Sequence, residues 1–284
     1  MGTTHSDDHV QLVVRALGWS DDCGYFVVKQ RFQHNARSKK WSRHAPAADD
    51  KFGWGLCILT PHPVVATATV RIPAASVLGA SRPASQAMGI LMLHPVFGRT
   101  WVFTIHVMMD FWGCLRLDLF GSLQLQNLRA ILQHIDKHVD SSTCDNVLLC
   151  GDFNSLSGSI VVRCLHSRQA HEGWGPWVDC SRAAGQLAAT CTGILPLRLD
   201  YVFLSARSRT FRPLKANVDA VRHSDHFPLT VDFACASPES PSLLQPAAEQ
   251  ARAALCCAVV YLGSVALLCA AMVCAFAAAF TSKL

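Results

Sequence analysis

The chain has 284 residues and a formal charge of +5, and its 51% hydrophobic against 16% charged content is lopsided for a soluble enzyme. That length suits one large α/β domain plus an appendage, and the modest positive balance suits an anionic substrate or a membrane surface. Thirteen cysteines argue against a disulfide framework, because the count is odd, the spacing is irregular and no apolar signal segment opens the sequence. They read as reduced thiols in a cytosol-facing protein, and no Cys-x-x-Cys pair marks a zinc site.

Met1 to Asp8 is polar, and Met1 to Ser6 fits the loose pattern for myristoylation of Gly2. Val10 to Ala16 has helical character and ends at Leu17-Gly18, and Tyr25 to Lys29 reads as a strand. The basic segment Lys29 to Arg43, with Phe32 and Trp41 between its charges, reads either as a phosphate- or lipid-facing loop or as a solvated one. Phe52 to Leu59 and Val64 to Ile72 are strands, and Pro73 to Gln86 is a loop rich in Pro, Ser and Ala. Gly89 to His94 and Thr100 to His106 form a hairpin whose second strand ends on a histidine. From Arg116 to Val139 the pattern turns helical, with an apolar stripe of Leu123, Leu125, Leu128, Ile131, Leu132, Ile135 and Val139.

Val147 to Cys150 is then a short apolar strand that stops at Gly151 and presents Asp152, Phe153 and Asn154. A carboxylate beside a carboxamide at a strand end can activate water and donate to an oxyanion. Such a strand after such a helix gives the alternation of a layered α/β domain. Ser155 to Leu165 reads as a short helix, followed by a loop with Trp174, Pro176, Trp177 and Asp179. Those tryptophans either recognise a ring or a lipid beside the site or pack in the core. Arg198 to Ser205 is a β-rich run with Asp200 embedded among apolar neighbours, and Asp225-His226 opens a last strand reaching Phe233. Buried Asp needs a partner, and a His that gains and loses protons needs an orienting carboxylate. No internal repeat and no glycine-rich nucleotide loop is present in the sequence.

Asp152 with Asn154, then Asp200, then Asp225 with His226, in that order, resembles the endonuclease/exonuclease/phosphatase superfamily of metal-dependent phosphoesterases, over roughly the first 235 residues. The resemblance implies an α/β, DNase I-like fold: two packed β-sheets flanked by helices in a four-layer sandwich. It implies that Asp152 orients or deprotonates water, that Asn154 and His226 donate to phosphoryl oxygens, and that Asp200 holds the His226 imidazole. It implies further that His106 faces the phosphate and that Asp225 sits near the metal. Mg²⁺, with Mn²⁺ as the substitute, is the ion that hard oxygen ligands favour. The family's helix commonly carries an Arg and a Gln, and Arg116 and Gln126 take those places as structural residues.

The sequence also departs from that family. Its members begin with a strand carrying an Asn and a second strand ending in a metal-binding Glu, and neither precedes Val10. Glutamate occurs only at Glu172, Glu239 and Glu249, and the stretch from Val10 onward resembles the helix after the missing Glu. The expectation is therefore double: a phosphoesterase whose first strands are not in this sequence, or a scaffold protein that kept the fold without catalysis. Losing core strands costs folding stability, which favours the first.

Residues 1–236 form the expected domain, 237–252 a linker, and 253–280 a transmembrane helix. From Ala253 to Phe280 no charged residue occurs, a run longer than the roughly 20 residues that span a bilayer. The expected arrangement is a tail anchor with the domain facing the cytosol, and Ser282-Lys283-Leu284 matches a peroxisomal address. An anchor favours a phospholipid substrate, as in neutral sphingomyelinase-like members with C-terminal spans. Arg198 to Ser205 is equally like the nuclease branch.

Overall fold

A computed structural model describes residues 24–35, 40–44, 52–71, 86–107, 123–140, 142–167, 173–191, 196–221 and 224–236, together with 16, 18, 76, 77, 80 and 81. Up to residue 55, for residue 71 and between 76 and 86, only the backbone of the strands is described. The strands among the described residues are β1 (Gly24–Asn35), β2 (Lys40–His44), β3 (Phe52–Leu59), β4 (Val64–Arg71), β5 (Ser76–Val77), β6 (Ala80–Ser81), β7 (Gln86–His94), β8 (Gly98–His106), β9 (Asn146–Asp152), β10 (Trp177–Asp179), β11 (Asp200–Ser205), β12 (Phe211–Val218) and β13 (Leu229–Cys235). The helices among the described residues are α1 (Leu123–His138), α2 (Ile160–His166) and α3 (Cys180–Ala183).

The centre is a six-stranded sheet in the order β10-β11-β9-β8-β7-β4. Strands β8 and β9 run parallel, which a tight turn cannot achieve, and the crossover between them carries α1. One face of the sheet carries Trp101, Phe103, Ile105, Val147, Leu149, Tyr201 and Phe203. Against it lie Leu125, Leu128, Ile131, Leu132 and Ile135 of α1 and Val161, Val162 and Leu165 of α2. The spacing of those α1 residues is the apolar stripe of the sequence, so the helix buries the face its periodicity marks.

The opposite face meets a second β layer. Leu148, Leu204, Val102 and Val202 pack against Phe211, Val231 and Phe233 of the β12-β13 hairpin, while Met88, Ile90 and Val102 pack against Leu56 and Ile58 of β3. Strand β9 is apolar from Val147 to Cys150 without alternation because both its faces are covered. The result is mixed α/β with two β layers and helices on the outer face of the larger sheet. The short helix α3 packs through Cys180 against Phe211 of β12, beside the second β layer.

Several expected elements change. Strand β1 continues to Asn35 and pairs with β2, so the basic segment expected as a loop is a hairpin, with Phe32 opposite Arg43. Strands β10 and β12 are additional, and β12 carries Pro213 at an irregularity of its pairing, where a missing N–H is tolerated. The helix expected from Ser155 begins only at Ile160, where the Ser159 hydroxyl accepts from the Val162 N–H as its N-cap. The helix expected from Arg116 is described from Leu123. In it Gln126 is exposed, and Gln124 is the glutamine turned inward. Trp174 and Trp177 are buried, which decides between their two readings in favour of the core. The seven described cysteines are free thiols. Among the described residues no helix is long and apolar enough to cross a membrane; the 253–280 run, the linker, Gly2 and Arg116 lie outside the described residues.

Gly151 fixes how closely β9 approaches β8. Its φ is +126°, and a Cβ there would lie 2.1 Å from the Ile105 carbonyl oxygen, a backbone atom that cannot swing away. Gly151→Ala is expected to destabilise the fold by roughly 2–4 kcal/mol through strain at this φ and forced separation of the strands. Urea unfolding of the two proteins measures it, and an unchanged midpoint would contradict the account.

Candidate functional site

The sheet register builds the site. In the parallel pair His106 lies opposite Asp152, and in the antiparallel pair Asp152 lies opposite Asp200. Side chains at alternate positions share a face, so these three follow Val102, Leu148, Cys150, Val202 and Leu204 on the side that meets the second β layer. They form one cross-strand row at the carboxyl ends of β8 and β9. The loop before β13 adds the fourth member: His226 Nδ1 lies 2.6 Å from Asp200 Oδ2.

Each member is held. Asp152 Oδ1 accepts from the Asn154 backbone N–H at 2.8 Å, and its Oδ2 accepts from the Asn154 Nδ2 at 2.9 Å. That double contact needs Asn154 in the left-handed region, φ +47°, which asparagine tolerates better than other side chains. The second N–H of the carboxamide goes to the Val107 carbonyl at 2.8 Å, and Gln124 Nε2 donates to the Asn154 carbonyl at 2.9 Å. Both Asn154 amide hydrogens are therefore engaged in orienting Asp152 and closing the loop. His106 Nε2 approaches Asp152 Oδ2 to 3.6 Å, and both side chains are about one-fifth to one-quarter exposed, at 25% and 19%.

A carboxylate oxygen only accepts, so the Asp200 contact fixes Nδ1 of His226 as the protonated nitrogen and turns Nε2 outward. Burial pushes the imidazole pKa down, but the Asp200 hydrogen bond and the charges of Asp200, Asp152 and Asp225 outweigh it and raise the pKa above its ordinary value. Asp225 itself is exposed; its Oδ1 accepts from the Ser224 hydroxyl at 2.9 Å, which holds its carboxyl below the usual range.

Behind the row lies polar scaffolding that sequence reasoning did not assign. Arg198 reaches Asp179 through two hydrogen bonds, Nη1 to Oδ2 at 2.8 Å and Nη2 to Oδ1 at 2.6 Å, with 8% and 3% of the two side chains exposed. Asp179 also caps α3 through the Arg182 N–H, and the Arg198 guanidinium lies 4.5 Å from the Tyr201 ring centre. An arginine two residues before a candidate aspartate was the available signal; its partner 19 positions upstream carried none.

The resemblance implies a metal, and the described residues can be tested for it. Among them no three His, Cys, Asp or Glu side chains are disposed to hold an ion. Asp152 is engaged with Asn154, and Asp225 lies in the exposed turn with Ser224. The described donors do not by themselves make the Mg²⁺ site.

No protein-family model matches the sequence, and no curated protein matches it. Solved structures do. The human Nocturnin catalytic domain, solved with a bound sulfate, is 18% identical with a TM-score of 0.51, covering 82% of this chain and 78% of that one. ANGEL2, described as a 2',3'-cyclic phosphatase and solved with adenosine-2',3'-vanadate, is 14% identical with a TM-score of 0.52, over 81% of this chain and 78% of that one. An endonuclease/exonuclease/phosphatase from Beutenbergia cavernae is 16% identical with a TM-score of 0.52, over 83% of this chain and 60% of that one. The fold of this chain is the DNase I-like fold these proteins share.

Two outcomes are expected. In chelator-treated protein the His226 ring titrates above the ordinary value of about 6.5, and in Asp200→Asn its midpoint falls, because burial then acts without the full compensating charge. ¹H–¹⁵N spectra of histidine-labelled protein read both midpoints, and equal values would refute the pairing. Arg198→Met leaves the Asp179 carboxylate buried without its counter-ion and is expected to cost about 3–5 kcal/mol in urea unfolding; a loss below about 1 kcal/mol would show the pair to be dispensable.

Proposed function

We propose that this protein hydrolyses a phosphate ester at the row His106, Asp152, Asp200 and His226. The observation that carries the reading is the 2.6 Å Asp200–His226 contact standing in register with Asp152 and His106 at one sheet edge. A carboxylate with a fixed orientation beside an imidazole with a fixed tautomer is what acid–base chemistry at phosphorus needs.

Water attacks the phosphorus, and its proton passes to Asp152, which the Asn154 contacts hold in one orientation. The new O–P bond forms as the ester P–O bond breaks, the departing oxygen takes a proton from solvent water, and Asp152 returns its proton to solvent. The outward Nε2–H of the His226 imidazolium donates to a phosphoryl oxygen and offsets charge developing there. His106, level with Asp152, faces the same group from the other side, and Asn154 contributes by holding Asp152. When bound, Mg²⁺ or Mn²⁺ would neutralise phosphoryl oxygens. Its site needs donors beyond the described residues.

The fold neighbours and the apolar tail support different substrates. ANGEL2 is a 2',3'-cyclic phosphatase by its description, which favours a nucleotide ester. The uncharged run Ala253 to Phe280 supports a bilayer anchor with the domain in the cytosol, and with it a phospholipid ester of the neutral sphingomyelinase type. We take the ester class as common to both.

The test is hydrolysis by the full chain, with Mg²⁺ or Mn²⁺ supplied, of 2',3'-cyclic AMP, an RNA oligonucleotide and sphingomyelin in mixed micelles. Asp152→Asn and His226→Gln are each expected to lower turnover of the accepted substrate by roughly 10²- to 10⁴-fold with the fold intact. Turnover unchanged in both variants would overturn the assignment of the site. A folded wild-type chain that turns over none of the three with either ion would point to the scaffold reading instead.

A further inference from the structure

We propose that Thr190 is a positioning residue for the His226–Asp200 pair, acting through its hydroxyl. Thr190 is fully buried, at 0% exposure, and sits in neither a helix nor a strand. Its Oγ1 accepts from two consecutive backbone amides, Leu199 N and Asp200 N, each at 3.0 Å. Its carbonyl oxygen accepts from Phe227 N at 2.7 Å. One residue thus grips the chain at Asp200 with its side chain and the chain beside His226 with its backbone. The next residue extends the same contact, since Cys191 forms isolated bridges to both Leu197 and His226.

The consequence is geometric. Asp200 is the first residue of β11, and its amide lies where regular pairing has only just begun. The loop carrying His226 precedes β13 by two residues and belongs to the other β layer. No sheet ladder joins the two segments, and the 2.6 Å side-chain contact spans them. Thr190 supplies the shared anchor, so the distance between the imidazole and the carboxylate is set from behind. Two buried N–H groups converging on one hydroxyl are not served by an apolar replacement, and whichever of them loses its partner must move.

The kinetic consequence rests on the phosphoesterase reading, but the positioning itself does not. The isosteric Thr190→Val removes the hydroxyl and keeps the volume, whereas Thr190→Ser keeps the hydroxyl. In full-chain protein labelled with ¹⁵N-histidine, the His226 Nδ1–H in its short contact with Asp200 gives a far-downfield proton resonance. That resonance is expected in wild type and Thr190→Ser. In Thr190→Val it is lost, or its solvent exchange rises at least about tenfold, while the Trp174 indole N–H bonded to the Val139 carbonyl is unchanged. For a substrate the wild type accepts, kcat is expected to fall roughly ten- to a hundredfold in Thr190→Val with KM nearly constant, and Thr190→Ser to restore it. An unshifted resonance with unchanged exchange in Thr190→Val would overturn the proposal. Loss of the resonance in Thr190→Ser would do so too, since packing of the methyl group would then be what matters. A wild type that turns over no ester would refute the functional reading and leave the spectroscopic outcome to decide on Thr190.

Discussion

The structure depends on the register in which β9 lies between β8 and β11. Because β9 is parallel to one neighbour and antiparallel to the other, its last residue, Asp152, faces the last residue of β8 and the first residue of β11 at once. A slip of one position would turn Asp152 to the helix side and bring an apolar side chain to the rim. The slip is prevented from both faces. Leu149 must meet α1, Leu148 must meet the β12-β13 hairpin, and Gly151 is the one residue whose lack of a Cβ lets the Ile105 carbonyl pass.

The two ends of this sheet are pinned by different polar devices. At the site end Asp179 and Arg198 share a dry, bidentate contact, and Thr190 and Asn154 hold the loops. At the far end Asn146, fully buried, donates to the Phe97 carbonyl at 2.8 Å and to Thr210 Oγ1, and accepts from the Arg209 and Thr210 amides at 3.1 and 3.2 Å. That second knot ties the larger sheet to the start of β12, so the hairpin delivering His226 is anchored at its far end as well. Buried polar groups satisfied this completely make a layer junction rigid rather than merely apolar.

Much of this was legible in the sequence, for identifiable reasons. The β8-α1-β9 unit announced itself because its helix keeps a 3.6-residue stripe and its strand is short, apolar and stopped by glycine. Asp152, Asp200 and His226 stood out as ionisable residues at the ends of apolar runs, and the pairing of the last two was what the family resemblance implied. The resemblance set His106 toward the phosphate, and the parallel pairing of β8 with β9 places it opposite Asp152. Other features had no local signal. Strand β10 is three residues long, and β12 carries a proline that argues against a strand. The helix glutamine was placed at Gln126 by analogy, yet the helical phase turns Gln124 inward. Thr190 and Asp179 act on partners 10 and 19 residues away across loops, a relation that periodicity cannot report.

The most direct test of the site is the binding of orthovanadate or inorganic phosphate to the full chain, followed on the ring resonances of all described histidines with Mg²⁺ present. His106 and His226 are predicted to shift together with one dissociation constant, while His62, His94, His134 and His138, which lie in other ring contacts, stay still. No shift at either His106 or His226, or shifts shared equally by all the histidines, would contradict the claim that the row at the carboxyl ends of β8 and β9 is where a phosphoryl group is held.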